Sequence, residues 1–181
     1  TQIDDAVELI VNDYTNLKLH GLHAHIGSQI FEKSIYGDEI EILVKEIARL
    51  DEKFGLKLDE INIGGGLGVK YVEADYPPST YEVAEIVIKR LYECIEKYRI
   101  DAPALFIEPG RSVISTAGVT LYTLGSSKQV PKGKMYVAVD GGMADNARPS
   151  MYQAEYTAQI ANKPNYELAK TVTIAGRFCE S

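Results

Sequence analysis

Apolar residues recur in two rhythms along the first part of the chain. Ile40, Leu43, Val44, Ile47 and Leu50 follow the i, i+3, i+4, i+7 spacing that lays one stripe along a helix. Gly55, just after Phe54, suits the stop of that helix. A second stripe runs through Val83, Ile86, Val87, Leu91, Cys94, Ile95 and Tyr98, with Ser79 or Thr80 as N-cap after the Pro77-Pro78 breaker. Residues 4–14, DDAVELIVNDY, read as the tail of an earlier helix. Short apolar runs at 17–27, 61–66 and 104–110, each read as a strand that ends in glycine, flank and separate the two stripes.

This alternation of strand and helix predicts an α/β fold with a parallel sheet wrapped by helices. Periodicity alone leaves a doubly wound sheet and a (β/α)8 barrel both open. Marked motifs at the ends of several different strands favour the barrel, whose functional groups gather at that face. A barrel has eight such units, and the chain carries about three and the end of another, so an internal fragment is expected. After residue 112 the texture changes to β-rich runs, GVTLYTLGSSKQV, KMYVAVDGGM and KTVTIAGRF, without a clear helical period. The expected organisation is therefore part of a (β/α)8 TIM-type barrel over 1–115, followed by part of a mainly antiparallel β domain over 116–181.

Composition narrows the function classes without choosing among them. A formal charge of −7 disfavours nucleic acid or an anionic membrane as the main partner. No apolar run reaches the ~20 residues of a membrane span, and no signal peptide opens the chain. Two cysteines make neither a disulfide framework nor a metal-ligand spacing, and a reducing cytoplasm is expected. Cys94 falls on the second helical stripe, where a small buried thiol packs as a hydrophobe.

The strand-end motifs carry the chemistry. HAHIGSQ sets His23, His25 and Ser28 at one strand end, where an imidazole face could meet a flat ligand and a hydroxyl an anion. His-x-His could also begin a metal site, but no further ligand cluster is near in sequence, so no metal is expected. NIGGGLG frees the backbone to turn tightly and to aim N–H groups at one point, as phosphate cradles do. A tight turn with no ligand has the same signature. The run fits neither the dinucleotide fingerprint nor a P-loop. IEPGRS supplies Glu108, Gly110 and Arg111, a carboxylate and a planar cation that could equally be a structural pair. DGGMADNARPSMY adds Arg148 and Tyr152, and GRFCES ends on Cys179, Glu180 and Ser181.

In this order and at these spacings, HAHIGSQ, NIGGGLG, EPGRS, VDGGMADNARPSMY and GRFCES closely resemble the diaminopimelate decarboxylases. These belong to the pyridoxal-phosphate-dependent decarboxylases with an alanine-racemase-like barrel and a C-terminal β domain. The resemblance runs from about residue 17 to 181. It implies that pyridoxal 5'-phosphate is the cofactor and that the reaction is decarboxylation of meso-2,6-diaminopimelate to L-lysine and CO2. It implies that His25 stacks on the cofactor ring and that Glu108 faces the pyridinium nitrogen. Ser28, Gly65, Gly66, Gly110 and Arg111 would surround the phosphate, while Arg111, Arg148 and Tyr152 would hold the distal carboxylate of the substrate. Glu180 would take the distal ammonium, and Cys179 would donate the proton that replaces CO2. The working unit implied is a homodimer in which the Cys-Glu-Ser tip reaches the other subunit's site.

In that family a lysine on the first barrel strand forms the Schiff base, and no lysine here has a matching context. Lys18 precedes a different strand, and Lys70 follows the glycine loop. The expectation is that this stretch alone binds the cofactor weakly and does not turn over. Two other readings stay open. One is a decarboxylase of arginine, ornithine or carboxynorspermidine in the same fold family, which would want acidic residues around a distal amine. The other is a non-catalytic relative that binds a partner.

Overall fold

The computed structural model describes residues 2–163 and 170–179. The described residues form two compact units. The first takes the chain through Lys70 together with Tyr76–Thr116, and the second takes Tyr71–Asp75 with the described residues from Ala117 onward.

In the first unit the expected alternation is present: α1 (Gln2–Asp13), β1 (Gly21–His23), α2 (Ser34–Phe54), β2 (Glu60–Asn62), α3 (Thr80–Tyr98) and β3 (Ala104–Phe106). Ser79 is the cap of α3. Its hydroxyl accepts from the Glu82 N–H, and the Glu82 carboxylate accepts from the Ser79 N–H, a reciprocal capping box. Gly55 closes α2 in the left-handed conformation, its N–H donating to Asp51 O at 2.8 Å. The strands are shorter than the apolar runs that announced them. Each run leaves the ladder within three residues, and after Asn62 the backbone turns through Gly64 at φ +63°.

The three strands are parallel and lie in the order β1-β2-β3, with Leu22 beside Ile61 and Ile61 beside Leu105. Sequential neighbours with one helix per crossover put α2 and α3 on the same side. Gly37 of α2 faces Ile86 of α3, and a Cβ there would meet the Ile86 side chain at 3.3 Å. Tyr36, Ile40, Val44, Ile47 and Leu50 pack with Val83, Val87, Leu91 and Cys94 over Ile61, and all are buried. Because strand side chains alternate, His23, Asn62 and Phe106 stand on the opposite face, which no helix among the described residues of this unit covers. A doubly wound sheet has helices on both faces, whereas helices on one side and an inner face on the other belong to part of a (β/α)8 barrel. Short helix α1 is fastened to α2 through buried Val7 and through Arg49, which binds Asp4 and Glu46 at 2.6 Å each.

The second unit holds β4 (Leu124–Gln129), β5 (Met135–Val139) and β6 (Thr173–Ala175) in one sheet of that order. β4 and β5 pair antiparallel, while β6 joins β5 parallel, so among the described residues this sheet is mixed. Short helical pieces also occur where the sequence shows no clear helical period: α4 (Arg111–Ile114), at the end of the first unit, a 3-10 turn (Ser115–Ala117) and, in the second unit, α5 (Arg148–Tyr152). Each is too short to display a 3.6-residue stripe.

Candidate active site

The C-terminal ends of β1, β2 and β3 meet through their backbones beyond the regular strands. Ala24 N–H donates to Asn62 O at 3.0 Å, Ile63 N–H to Phe106 O at 3.2 Å and Glu108 N–H to Gly64 O at 2.6 Å. Further along the chain, Ile30 pairs with Leu67, its N–H donating to Gly66 O at 2.9 Å. The glycine triplet is therefore wedged between two strand ends. A Cβ on Gly65 would lie 2.3 Å from Glu108 O, and one on Gly66 would lie 2.1 Å from Gly27 O, at φ +86°. Close approach requires glycine at both positions. Two of the triplet's N–H groups are committed within the protein. That of Gly64 donates to Asn62 Oδ1 at 2.8 Å and that of Gly65 to His25 Nδ1 at 3.2 Å.

These contacts orient the side chains. Because Gly65 donates to His25 Nδ1, the neutral ring carries its proton on Nε2, and the exposed ring stands beside the glycine turn. Glu108 accepts from Asn62 Nδ2 through Oε1 at 2.7 Å, while its Oε2 lies 3.8 Å from His23 Nε2. The Glu108 side chain is 57% exposed, open to a ligand at the strand ends. Arg111 opens α4 and reaches back to the Ser28 hydroxyl and, at 3.5 Å, to Gln29 Oε1. Gln29 itself clamps Val69, donating to its carbonyl at 2.6 Å and accepting from its N–H at 3.3 Å. Gly110 has open space where a Cβ would stand.

His25, Ser28, Gly65, Gly66, Glu108, Gly110 and Arg111 are thus gathered at one end of one sheet. The remaining candidates belong to the second unit. The Arg148 guanidinium lies over Tyr152 at 5.4 Å and over Tyr71 at 5.8 Å, and its buried Nε has no hydrogen-bond partner among the described residues. Tyr71 in turn meets Tyr156 edge-on, with ring centroids 4.9 Å apart. Cys179 is an exposed free thiol beyond β6. Glu180 lies outside the described residues.

Sequence reasoning passed over Asn62, Gln29 and Tyr36, whose hydroxyl donates to Gly65 O at 3.2 Å. For Asn62 a signal existed: it precedes the glycine triplet and shares the strand face of Glu60, the inner one. The His23-x-His25 pair gathers no third ligand among the described residues. Three groups that do converge are His20, Asp59 and Glu60, at the opposite ends of the strands. There His20 Nδ1 sits 3.2 Å from Asp59 Oδ1, and that imidazole holds the Asp59 carboxyl below its ordinary value. No helix among the described residues is long and apolar enough to cross a membrane.

Comparison with known proteins agrees with this geometry. The chain is 45% identical over 177 residues to diaminopimelate decarboxylase of Synechocystis sp., covering 98% of the chain and 38% of that protein. It is 42% identical to the Bacillus subtilis diaminopimelate decarboxylase, over 99% of the chain and 41% of the relative. Among solved structures, diaminopimelate decarboxylase from M. jannaschii in complex with L-lysine superposes with a TM-score of 0.83 at 29% identity, over 99% of the chain and 40% of that chain. The chain thus spans about two fifths of the length of the curated relatives it matches. Residues 2–115 match the family model described as pyridoxal-dependent decarboxylase, pyridoxal binding domain, and the chain belongs to that family.

Proposed function

We propose that the chain carries part of the active site of a pyridoxal-phosphate-dependent decarboxylase that converts meso-2,6-diaminopimelate to L-lysine and CO2. One observation carries this reading: an accessible imidazole, a hydroxyl paired with a guanidinium, and an open carboxylate converge on the ends of three adjacent parallel strands.

The residues fit the cofactor by the chemistry of their donors. Ser28 and Arg111 form a hydroxyl–guanidinium pair suited to a phosphate or carboxylate. Glu108 offers an anion to a protonated ring nitrogen, and the exposed face of His25 can lie against a flat ring. Bound pyridoxal phosphate supplies a sink for the electron pair left at the α-carbon when CO2 departs. The chain's own groups do the rest. Glu108, oriented by Asn62, would face the ring nitrogen. His25, held by the Gly65 N–H, would lie against the ring face.

Arg148 is suited to a substrate carboxylate, since its buried Nε lacks a partner among the described residues and Tyr152 lies against its guanidinium. Cys179, an exposed thiol, holds a proton at Sγ that can pass to the α-carbon in place of CO2, leaving a thiolate to be reprotonated by solvent. We assign Glu180 to the distal ammonium of the substrate. The working form is a cytoplasmic homodimer in which the Cys179 tip serves the partner subunit's site.

The test is CO2 release by a full-length chain supplied with pyridoxal phosphate. Diaminopimelate should be preferred over ornithine and arginine by a large factor in kcat/KM, with lysine as product. Preference for ornithine or arginine would move the protein to another substrate of the same fold. Cofactor binding without CO2 from any of the three would indicate a non-catalytic relative.

A further inference from the structure

Asn62 makes two hydrogen bonds that determine each other. A backbone amide can only donate, so the Gly64 N–H at 2.8 Å identifies the near atom of the side chain as Oδ1. The opposite atom, 2.7 Å from Glu108 Oε1, is then the Nδ2 donor. Glu108 N–H donates in turn to Gly64 O at 2.6 Å, which closes a ring of three hydrogen bonds through Asn62, Gly64 and Glu108.

We infer that Asn62 is a positioning residue, which aims the Glu108 carboxylate by occupying Oε1 and leaving Oε2 to face a ligand. The inference rests on the decarboxylase reading above, in which Glu108 meets the cofactor ring. The Glu108 side chain is more than half exposed, and among the described residues its Oε2 has the distant His23 Nε2, at 3.8 Å, as its ion-pair neighbour. A solvated carboxylate with so little around it would rotate among several rotamers. The donor from Asn62 selects one. The same residue ties that choice to the glycine turn, so the carboxylate and the turn keep one relative geometry.

The two bonds can be separated by mutation. In a full-length chain, Asn62→Asp keeps an oxygen for the Gly64 N–H but replaces the donor toward Glu108 with a second carboxylate. Asn62→Ala removes both bonds. The readouts are the thermal midpoint, the dissociation constant for pyridoxal phosphate, and the pH titration of the bound cofactor's absorption spectrum, with Glu108→Gln as benchmark. Asn62→Asp should keep a thermal midpoint nearer wild type than Asn62→Ala. Its spectral titration should depart from wild type, and Asn62→Ala, which removes the donor without adding a charge, should shift in the same direction as Glu108→Gln. The kcat of Asn62→Asp should fall roughly tenfold, the size of one charge-assisted hydrogen bond, with KM little changed. A wild-type spectral titration and kcat in Asn62→Asp would overturn the positioning role. Equal destabilisation in both variants, with spectra unchanged once bound, would reduce Asn62 to a structural residue. If the wild-type chain itself bound no pyridoxal phosphate, the decarboxylase reading would fall instead, independently of the variants.

Discussion

The hydroxyl of Tyr36 donates to the carbonyl of Gly65 across 3.2 Å, linking the first turn of α2 to the glycine turn beneath the candidate site. Tyr36 is 1% exposed, and burial, with the Glu39 charge adding to it, pushes its phenol up to about 12. The group therefore stays a neutral donor throughout the working range. Tyr36→Phe keeps the packing and removes only the donor. It should cost about 1 kcal/mol, the usual net value of one buried hydrogen bond. A urea midpoint measured at constant m-value checks it; an unchanged midpoint would mean that water replaces the hydroxyl.

Glu39, one turn along the same helix, is 3% exposed, and neither carboxylate oxygen has a hydrogen-bond partner among the described residues. Burial raises its pKa from 4.5 to about 7. A carboxyl raised on folding binds its proton more tightly in the native state. Its contribution is therefore fully present below pH 4.5 and lost as pH rises through 7. The loss should amount to about 3 kcal/mol on the alkaline side. Glu82 acts in the opposite sense. Lys33 and the Ser79 cap hold it at about 2, so its contribution is present above pH 4.5 and disappears only as pH falls toward 2. Between pH 5 and 8 the slope belongs mainly to Glu39. Denaturant unfolding across that window should show wild type weakening with pH and Glu39→Gln much flatter; parallel curves would contradict the assignment.

The glycines separate backbone demand from ligand demand. Gly65→Ala and Gly66→Ala place a Cβ 2.3 Å and 2.1 Å from carbonyl oxygens of neighbouring strand ends. Both should lower the thermal midpoint markedly, because backbone cannot move aside as a side chain can. Gly110→Ala meets nothing within 4 Å. Its melt should match wild type, so a weaker affinity for pyridoxal phosphate in that variant would report contact with the ligand. Unchanged affinity would remove Gly110 from the binding set.

Much of this architecture is legible in the chain because it depends on local rules. The stripe from Ile40 to Leu50 and the stripe from Val83 to Cys94 are the buried faces of α2 and α3, and Ser79, read as an N-cap after Pro77-Pro78, caps α3 directly before Thr80. The motifs at the strand ends bring His25, Ser28, Glu108 and Arg111 to one edge, because strands of one parallel sheet deliver their last residues there. What spacing cannot reveal is pairing across distance. Asn62 finds Glu108 46 residues later, Gln29 finds Val69 40 later, and Tyr36 finds Gly65 29 later. The buried Glu39 lies beside the apolar stripe in a helix rich in Glu and Lys, where a carboxylate is ordinarily solvated. In the second unit, the parallel docking of β6 on β5 joins Ile174 to Val137, and no local pattern states that direction.

The two cysteines should behave as different reagents. Cys94 lies within the α2–α3 packing at 1% exposure, and burial pushes its thiol up. Reaction with a disulfide reagent needs both access and thiolate, and Cys94 is short of each. Cys179 is exposed beyond the end of β6. Titrated with such a reagent at pH 8, the native chain should release one fast equivalent, and a second only on unfolding. Cys179→Ser should abolish the fast phase and leave the slow one. In a full-length chain, where the thiol is proposed to serve a substrate site, diaminopimelate added with the cofactor should slow the fast phase severalfold. An unprotected thiol under those conditions would place Cys179 away from the bound substrate and remove it as the proton donor.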